Sequence, residues 1–545
     1  MNQTEILKSV LSNEQNYSLK RGAPKKFVLM YPNGYRVGMS NLGMHVVYEL
    51  INRRKEFACE RCFLPDPKLL NQLQRSREPL LSLETQTPLM RFQIIGVNLT
   101  FEPDYFNLLT MLTLGRIKLR AEERGELDPI IIAGGPCATF NPMPLSNIAD
   151  AFVIGEGEVI MPSVLDVLAQ SLSRKDTLEM LSKVEGVYVP SSNQKTVKRC
   201  WLKDLDEQPA HTIIVTDDAE LNMYLIEAAR GCGRHCRFCM AGYCFRRPRA
   251  HSLETIAKQL DEAAKFDKKI GLMGAAVSDY PYIDDLCRMI LERGMKMSVA
   301  SFRADSVTKT LVDALVLSGT RTLTIAPEAG SERMRAVINK GITVEHVFNT
   351  VELGLAAGIK HFRLYFMIGL PFETIDDVNE IVALSNRIKD HAGEGVRLTL
   401  SVNAFVPKPF TPFQWVPMAD RKYIERAFKL IKEGLKRRGV EVITDSSRAA
   451  AVQGILSRGG SELGEVLLKA NERGGSKEFI RALKDHGLDG EDYLYRPRGA
   501  EEQLPWDMLD QGFDKRYLIG ELDRAKQFRA TGACFEGCRR CGVCR

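Results

Sequence analysis

Two runs of alternating strands and helices constrain this chain more than any other feature of its sequence. In the first run, FVLMY (27–31), FQIIGVNLTF, PIIIAGG and AFVIGEGE read as short apolar strands. NLGMHVVYELINRR (41–54), DYFNLLTMLTLG and VIMPSVLDVLAQSL carry apolar residues at helical spacing. Asn41 stands where a helix N-cap belongs. Strands alternating with helices make a parallel sheet covered on both faces, so residues 1–190 are expected to form a Rossmann-like, doubly wound α/β domain. Ligands of such sheets lie outside the carboxyl ends of the strands, where Gly134, Gly135, Gly155 and Gly157 are expected.

Residues 191–222 are polar and irregular and read as a linker. A second series opens at LIEAAR (225–230) and continues through KIGLMG, MSVASF, RTLTIAP, HFRLYFMIG and LTLSVNAFVP, with helical stretches between. Six strand–helix units in order predict a partial (βα)6 barrel over residues 223–420, with its functional residues at the carboxyl ends of the strands. From 421 to 545 the pattern is helical, with no further strand series, and it ends in a Cys-rich tail.

The 545 residues are 44% hydrophobic and 26% charged, an ordinary balance that excludes collagen-like and disordered chains. No apolar run approaches the roughly 18 residues of a membrane helix. The net charge of +6 is mild and does not by itself point to nucleic acid. The opening MNQTEILKSVLSNEQ has no basic segment followed by an apolar one, so a cytoplasmic location is expected. In a reducing compartment, clustered cysteines hold metal more often than they form disulfides. Of 13 cysteines, seven fall in two groups: Cys232, Cys236 and Cys239, then Cys534, Cys538, Cys541 and Cys544.

The first group, spaced C-x3-C-x2-C, lies in RGCGRHCRFCMAGY directly after the first strand of the second series. Three thiolates on a short loop suit three irons of a 4Fe–4S cubane and leave the fourth iron open for chemistry. A zinc site normally wants four ligands in two pairs. The second group packs four thiolates into the last residues of the chain. It suits a fully ligated 4Fe–4S cluster or a zinc ion.

With the aromatic Phe238 just before its third cysteine, the triplet resembles that of the radical S-adenosylmethionine (SAM) superfamily. The resemblance implies that a reduced cluster cleaves SAM to a 5′-deoxyadenosyl radical, with a reductant such as flavodoxin or ferredoxin. It also implies strand-end contacts to SAM. The turn that would meet the amino group reads Gly274-Ala275-Ala276 and lacks the acid of the family's Gly-Gly-Glu-like turn, leaving the contact to the backbone. In APEAGSERMR, Glu328 would accept from ribose hydroxyls with Ser331 beside it, and Arg333 or Arg335 would reach the carboxylate. FMIGLPFET resembles an I-x-G-x-x-x-E segment, carried onto Met367, Gly369 and Glu373.

Further segments, among them PNGYRVGMSNLGMHVVYELIN, IIAGGPCATFNPMPLSNIADAFVIGEGE, NAFVPKPFTPFQW and CRRCGVC, resemble a family of largely uncharacterised radical SAM proteins with an N-terminal cobalamin-binding-like domain. That resemblance implies cobalamin at the glycine-rich strand ends and a cobalamin-assisted methyl transfer. No histidine lies in a D-x-H-x-x-G segment. An alternative is an RNA-modifying, methylthiotransferase-like enzyme without cobalamin, in which Cys59, Cys62 and Cys137 would hold a further cluster. Another is a non-catalytic iron–sulfur electron carrier. The arginines 230, 234, 237, 246, 247 and 249 meet an anionic substrate, such as RNA, or offset the charge of the thiolates and the SAM carboxylate, or simply face solvent. The substrate is left open between an RNA and a protein.

Overall fold

The structure, a computed structural model, describes residues 2–535 and 537–544. The chain divides into two units. The first runs up to Leu225 and takes back Leu456–Gly490 and Gln503–Gly512. The second holds Ile226–Ile455, Glu491–Glu502 and the residues from Phe513 onward.

The first unit is built on six strands: β1 Lys25–Tyr31, β2 Phe57–Phe63, β3 Ile94–Asn98, β4 Ile130–Gly134, β5 Ala151–Val153 and β6 Val187–Tyr188. Their order is β2-β1-β3-β4-β5-β6, with β1 to β5 parallel and β6 antiparallel to β5. Helices α1 Leu42–Arg53, α2 Asp104–Leu114 and α3 Gly157–Leu168 connect them. Asn41 caps α1, its Oδ1 accepting the Met44 N–H at 3.1 Å. Helix α1 turns Met44, Tyr48 and Ile51 onto Phe27 and Leu29 of β1 and onto Val164 of α3. Burying each such side chain stabilises the sheet by about 1.5–3 kcal/mol. The expected doubly wound domain is present, and the expected linker contributes to it. Val197–Lys198 pairs in parallel with Leu509–Asp510, and Cys200 bridges to Gly155.

The second unit carries β7 Tyr224–Glu227, β8 Ile270–Met273 and β9 Met297–Val299 in one sheet. A second sheet holds β10 Thr322–Glu328, β11 His361–Ile368, β12 Arg397–Ala404 and β13 Glu441–Thr444 in that order. A parallel bridge from Phe302 to Ile325 links the two sheets. The helices between are α4 Leu253–Ala263, α5 Ile283–Glu292, α6 Lys309–Leu317, α7 Val344–Ala356 and α8 Ile375–Ala392. After β12 comes α9 Arg421–Lys436, and then β13 adds a further strand to the sheet inside the region 421–545, expected to carry no strand. Side chains alternate along β11. Phe362, Leu364, Phe366 and Ile368 are buried, while Arg363, Tyr365 and Met367 lie half-buried on the other face. Helix α10, Lys515–Lys526, leads into the cysteine tail. Among the described residues no helix is long and apolar enough to cross a membrane.

Candidate functional site

The cysteine loop leaves β7 and is closed at its neck. Ala229 and Arg230 pair antiparallel with Ala250 and Arg249, and the Ala228 N–H donates to the Met273 carbonyl at 2.8 Å. Gly231 sits at φ +81°, and a Cβ there would lie 2.2 Å from the Phe245 carbonyl oxygen, so only glycine lets the loop begin. Cys232, Cys236 and Cys239 all lie on this loop, Cys236 buried and the other two half-buried. Burial, then the neighbouring Cys236 thiol, pushes Cys239 up to about 12, and the same causes raise Cys232. A metal would reverse this, because it binds the thiolate.

Cations stand ready for that charge. Arg303 places Nη1 3.9 Å from the Cys236 sulfur, while its Nη2 donates to the Lys340 carbonyl at 2.7 Å. Lys340 Nζ donates to Glu328 Oε1 at 3.1 Å, with both side chains largely buried. Arg303 and Lys340 were not anticipated from sequence; only their place after barrel strands could have signalled them. Glu328, at φ +67°, ends β10 on a register shift that begins after Ile325. Such a non-glycine conformation at a strand end is kept where the surroundings enforce it.

The other expected contacts separate into open and committed groups. Gly274 and Ala275 are exposed and Ala276 half-buried, and a Cβ on Gly274 would lie 3.0 Å from the Ala229 carbonyl oxygen. This edge has backbone to offer and no acid. Phe238 and Met367 pack on the buried cluster of Met334, Leu370, Phe405 and Phe413. Ser331 caps the short helix Glu332–Val337 and donates to Asp377 at 2.7 Å. Arg333 also pairs with Asp377, and Arg335 is buried with Nη1 on the Ala329 and Gly330 carbonyls. Glu373 accepts from the Gly369 N–H at 2.7 Å and from the Tyr423 hydroxyl at 2.9 Å, and burial pushes its carboxyl up to about 7.

Four of the six loop arginines are spent inside the protein, while Arg247 is exposed. Arg230 pairs with Glu227, Arg234 with Asp279 and Asp305, and Arg237 with Glu521. Burial raises the Glu227 carboxyl, but Arg230 and His251 outweigh it and hold it at about 2. Arg246 lies over the rings of Tyr243, Phe513 and Tyr517 at 5.1–6.0 Å. The aromatics of FTPFQW are likewise internal, with Phe413 and Trp415 buried.

All four tail cysteines are described, and the tail meets the loop. The Cys534 N–H donates to the Gly233 carbonyl at 2.7 Å. Arg540 Nε lies 3.4 Å from the Cys538 sulfur. Burial raises that thiol, but Arg540 outweighs it and brings it down to about 7. Among the described residues no three His, Cys, Asp or Glu side chains are gathered as for a single ion. A cubane instead takes each thiolate on a separate iron. The donor set of the loop, three thiols with Arg303 and Lys340 beside them, fits that cluster.

In the first unit, the strand order reverses between β1 and β3, the point where doubly wound sheets bind ligands. Amides and hydroxyls gather there with one carboxyl, Tyr31 and Asp104 buried and Asn33, Asn41, Asn98 and Thr100 half-buried. Tyr31 Oη and Thr100 Oγ1 are 3.1 Å apart, Asn98 Nδ2 donates to Asn41 Oδ1 at 3.2 Å, and Asn33 Nδ2 donates to Asp104 Oδ1 at 3.1 Å. Burial raises the Asp104 carboxyl to about 6. Sequence reasoning looked instead to the ends of β4 and β5. Two of the glycines there are filled by the chain itself. A Cβ on Gly155 would lie 2.0 Å from the Cys200 carbonyl oxygen, and one on Gly135 2.6 Å from that of Leu99. Gly134 and Gly157 have ordinary space, with nearest atoms at 3.7 and 3.5 Å. Cys59, Cys62 and Cys137 are buried thiols of this domain.

Residues 43–190 match the family described as radical SAM proteins, N-terminal, and residues 226–385 match the radical SAM superfamily. The uncharacterized protein MJ0966 of Methanocaldococcus jannaschii is 31% identical over 449 residues, covering 81% of this chain and 90% of that protein. The uncharacterized methyltransferase PH0819 of Pyrococcus horikoshii is 24% identical over 279 residues, covering 47% of this chain and 58% of that protein. Among solved structures, the cobalamin-dependent SAM radical enzyme OxsB, with aqua-cobalamin and SAM bound, shares the fold at TM-score 0.50 and 20% identity. The match covers 78% of this chain and spans 58% of the OxsB chain. This chain belongs to the radical SAM superfamily, in a family that joins the radical SAM N-terminal region to the radical SAM domain.

Proposed function

We propose that this radical SAM enzyme transfers a methyl group to an unreactive carbon, with a corrinoid held at the carboxyl edge of β1 and β3. The observation that carries the reading is the switch point itself. Beside the Asp104 carboxyl it is lined by neutral amides and hydroxyls, which suit the amide-bearing rim of a corrinoid. Asn33, Asn41, Asn98 and Thr100 would hold that rim. Gly155 and Gly135, closed by Cys200 and Leu99, would not. The cobalamin-bound OxsB fold and the methyltransferase name of PH0819 support the reading.

The cluster and SAM, when bound, supply one-electron cleavage of the sulfonium to methionine and a 5′-deoxyadenosyl radical. The protein's own part is to position and to shield. Cys232, Cys236 and Cys239 would hold three irons, and Arg303 and Lys340 offset the thiolate charge. The exposed backbone of Gly274 and Ala275 would offer its carbonyl oxygens to the SAM amino group. Glu328 faces Lys340 and would exchange that partner for the ribose hydroxyls.

The test is anaerobic uptake of hydroxocobalamin, followed by its absorption band. The full chain should bind it stoichiometrically, and N98L with N33L should weaken binding at least tenfold while leaving the iron content unchanged. No uptake at millimolar corrinoid would overturn the proposal.

A further inference from the structure

We propose that Cys534, Cys538, Cys541 and Cys544 hold a second 4Fe–4S cluster, docked against the loop that holds the first. The inference rests on reading Cys232, Cys236 and Cys239 as the ligands of that first cluster.

The segment after α10 is tied to the cysteine loop by a set of contacts. Arg237 Nη2 donates to the Arg529 carbonyl at 2.7 Å, and its Nε reaches Glu521 of α10. The Asn339 side chain donates to the carbonyls of His235 and Thr531, both at 3.1 Å, and its Oδ1 accepts the Thr531 N–H at 2.7 Å. One amide thus clamps the loop and the tail together. Beyond it, the Cys534 N–H donates to the Gly233 carbonyl, and Gly233 keeps its place because a Cβ there would sit 3.2 Å from that of Cys534. The Asp514 N–H, at the start of α10, donates to the Cys541 carbonyl at 2.9 Å.

The tail so held presents thiols and cations. Cys538 and Cys541 are 4% and 3% exposed, so both thiols face into the fold beside the loop. Arg540 sits on the Cys538 sulfur and anchors its other end on the Gly532 and Ala533 carbonyls at 2.9 and 2.6 Å. Arg246, in its box of three rings, adjoins Cys541. Arg246 is buried while Arg540 is exposed, and a buried guanidinium favours anionic neighbours such as cluster-bound thiolates.

Spacing chooses the metal. Zinc ligand pairs are normally separated by a longer loop. Spacings of three, two and two residues match the consecutive steps of iron–sulfur loops.

The experiment uses the full chain, a C538S/C541S variant, and a variant with Cys232, Cys236 and Cys239 all changed to alanine. Each is reconstituted anaerobically and assayed for iron, sulfide and zinc. The full chain should hold roughly eight irons and each variant roughly four. In the dithionite-reduced full chain, the electron paramagnetic resonance signal should integrate to about two spins, broadened by coupling between neighbouring clusters. The tail proposal is overturned if the tail variant holds as much iron as the full chain, or if the tail carries stoichiometric zinc. Should the tail variant fail to fold, one uncoupled spin per full chain overturns it equally. Iron that survives in full in the triple-alanine variant would instead overturn the reading of the loop.

Discussion

Arg237 of the cysteine loop reaches across to α10, with its Nε 3.0 Å from Oε2 of Glu521 and both side chains almost wholly buried, at 0% and 3% exposure. Burial pushes the guanidinium below its usual range, and Glu521 opposes that fall. Removing one member of a buried ion pair typically costs about 3–5 kcal/mol, because the other is left uncompensated. Arg237→Leu should therefore destabilise the second unit by about that amount in denaturant unfolding and expose the segment after Arg529 to protease. Arg237→Leu with Glu521→Leu should recover part of the loss. A single variant within about 0.5 kcal/mol of the parent would contradict this account.

Cys236 is the most enclosed of the loop thiols. Cys236→Ala should leave the fold intact by circular dichroism, since the loop hangs from a closed neck outside the sheets. It should lower bound iron by about four per chain and reduce 5′-deoxyadenosine formation from SAM to background. Persistent SAM cleavage would mean that the open cubane is not held here.

Glu373 offers a pH test. Its folded carboxyl lies at about 7, against an ordinary 4.5, chiefly through burial. The folded state therefore binds this proton more tightly than the unfolded state. Its contribution is fully present below about 4.5 and is lost as pH rises through about 7. The loss is on the order of 2–3 kcal/mol. Glu373→Gln keeps an oxygen to accept from Gly369 and Tyr423 and removes the titration. Urea midpoints at pH 5 and pH 8 should differ in the parent and converge in the variant. An unchanged difference would place the titration elsewhere.

The glycines at the ends of β4 and β5 should respond differently to alanine. Gly155, at φ +126° with Cys200 against it, should lose about 2–4 kcal/mol or fail to fold. Gly134, whose nearest neighbour would be 3.7 Å away, should tolerate alanine with little loss of stability. Equal Tm values for the two variants would contradict the filled position at Gly155.

Periodicity made most of this fold legible. The strands around Phe27, Ile95 and Ile131, and those around Phe362 and Leu400, lie where the apolar runs placed them, and the thiol triplet lies directly after β7. What sequence hid depended on partners far along the chain. EVIT at 441–444 alternates weakly, and only its neighbour β12 makes it a strand. The return of Leu456–Gly490 to the first unit is invisible in spacing, because that helical face is matched to a surface and not to a period. Asn98 and Thr100 stand at a predicted strand end, but which strand end matters follows from strand order. The glycines beside it drew attention for their freedom, when two of them are glycine because the backbone of Leu99 or Cys200 occupies the place of a side chain.

The paired neck of the cysteine loop, Ala229 with Ala250 and Arg230 with Arg249, bears on how the enzyme is matured. A loop whose ends are free must lose closure entropy when metal arrives, and that loss is subtracted from metal affinity. Here backbone pairing joins the ends without calling on a metal, so the fold itself carries the cost of closing the loop. Loading then becomes a matter of thiol deprotonation and not of chain search. Weakening the neck would slow the acquisition of iron by the newly made chain far more than it would disturb a chain already loaded.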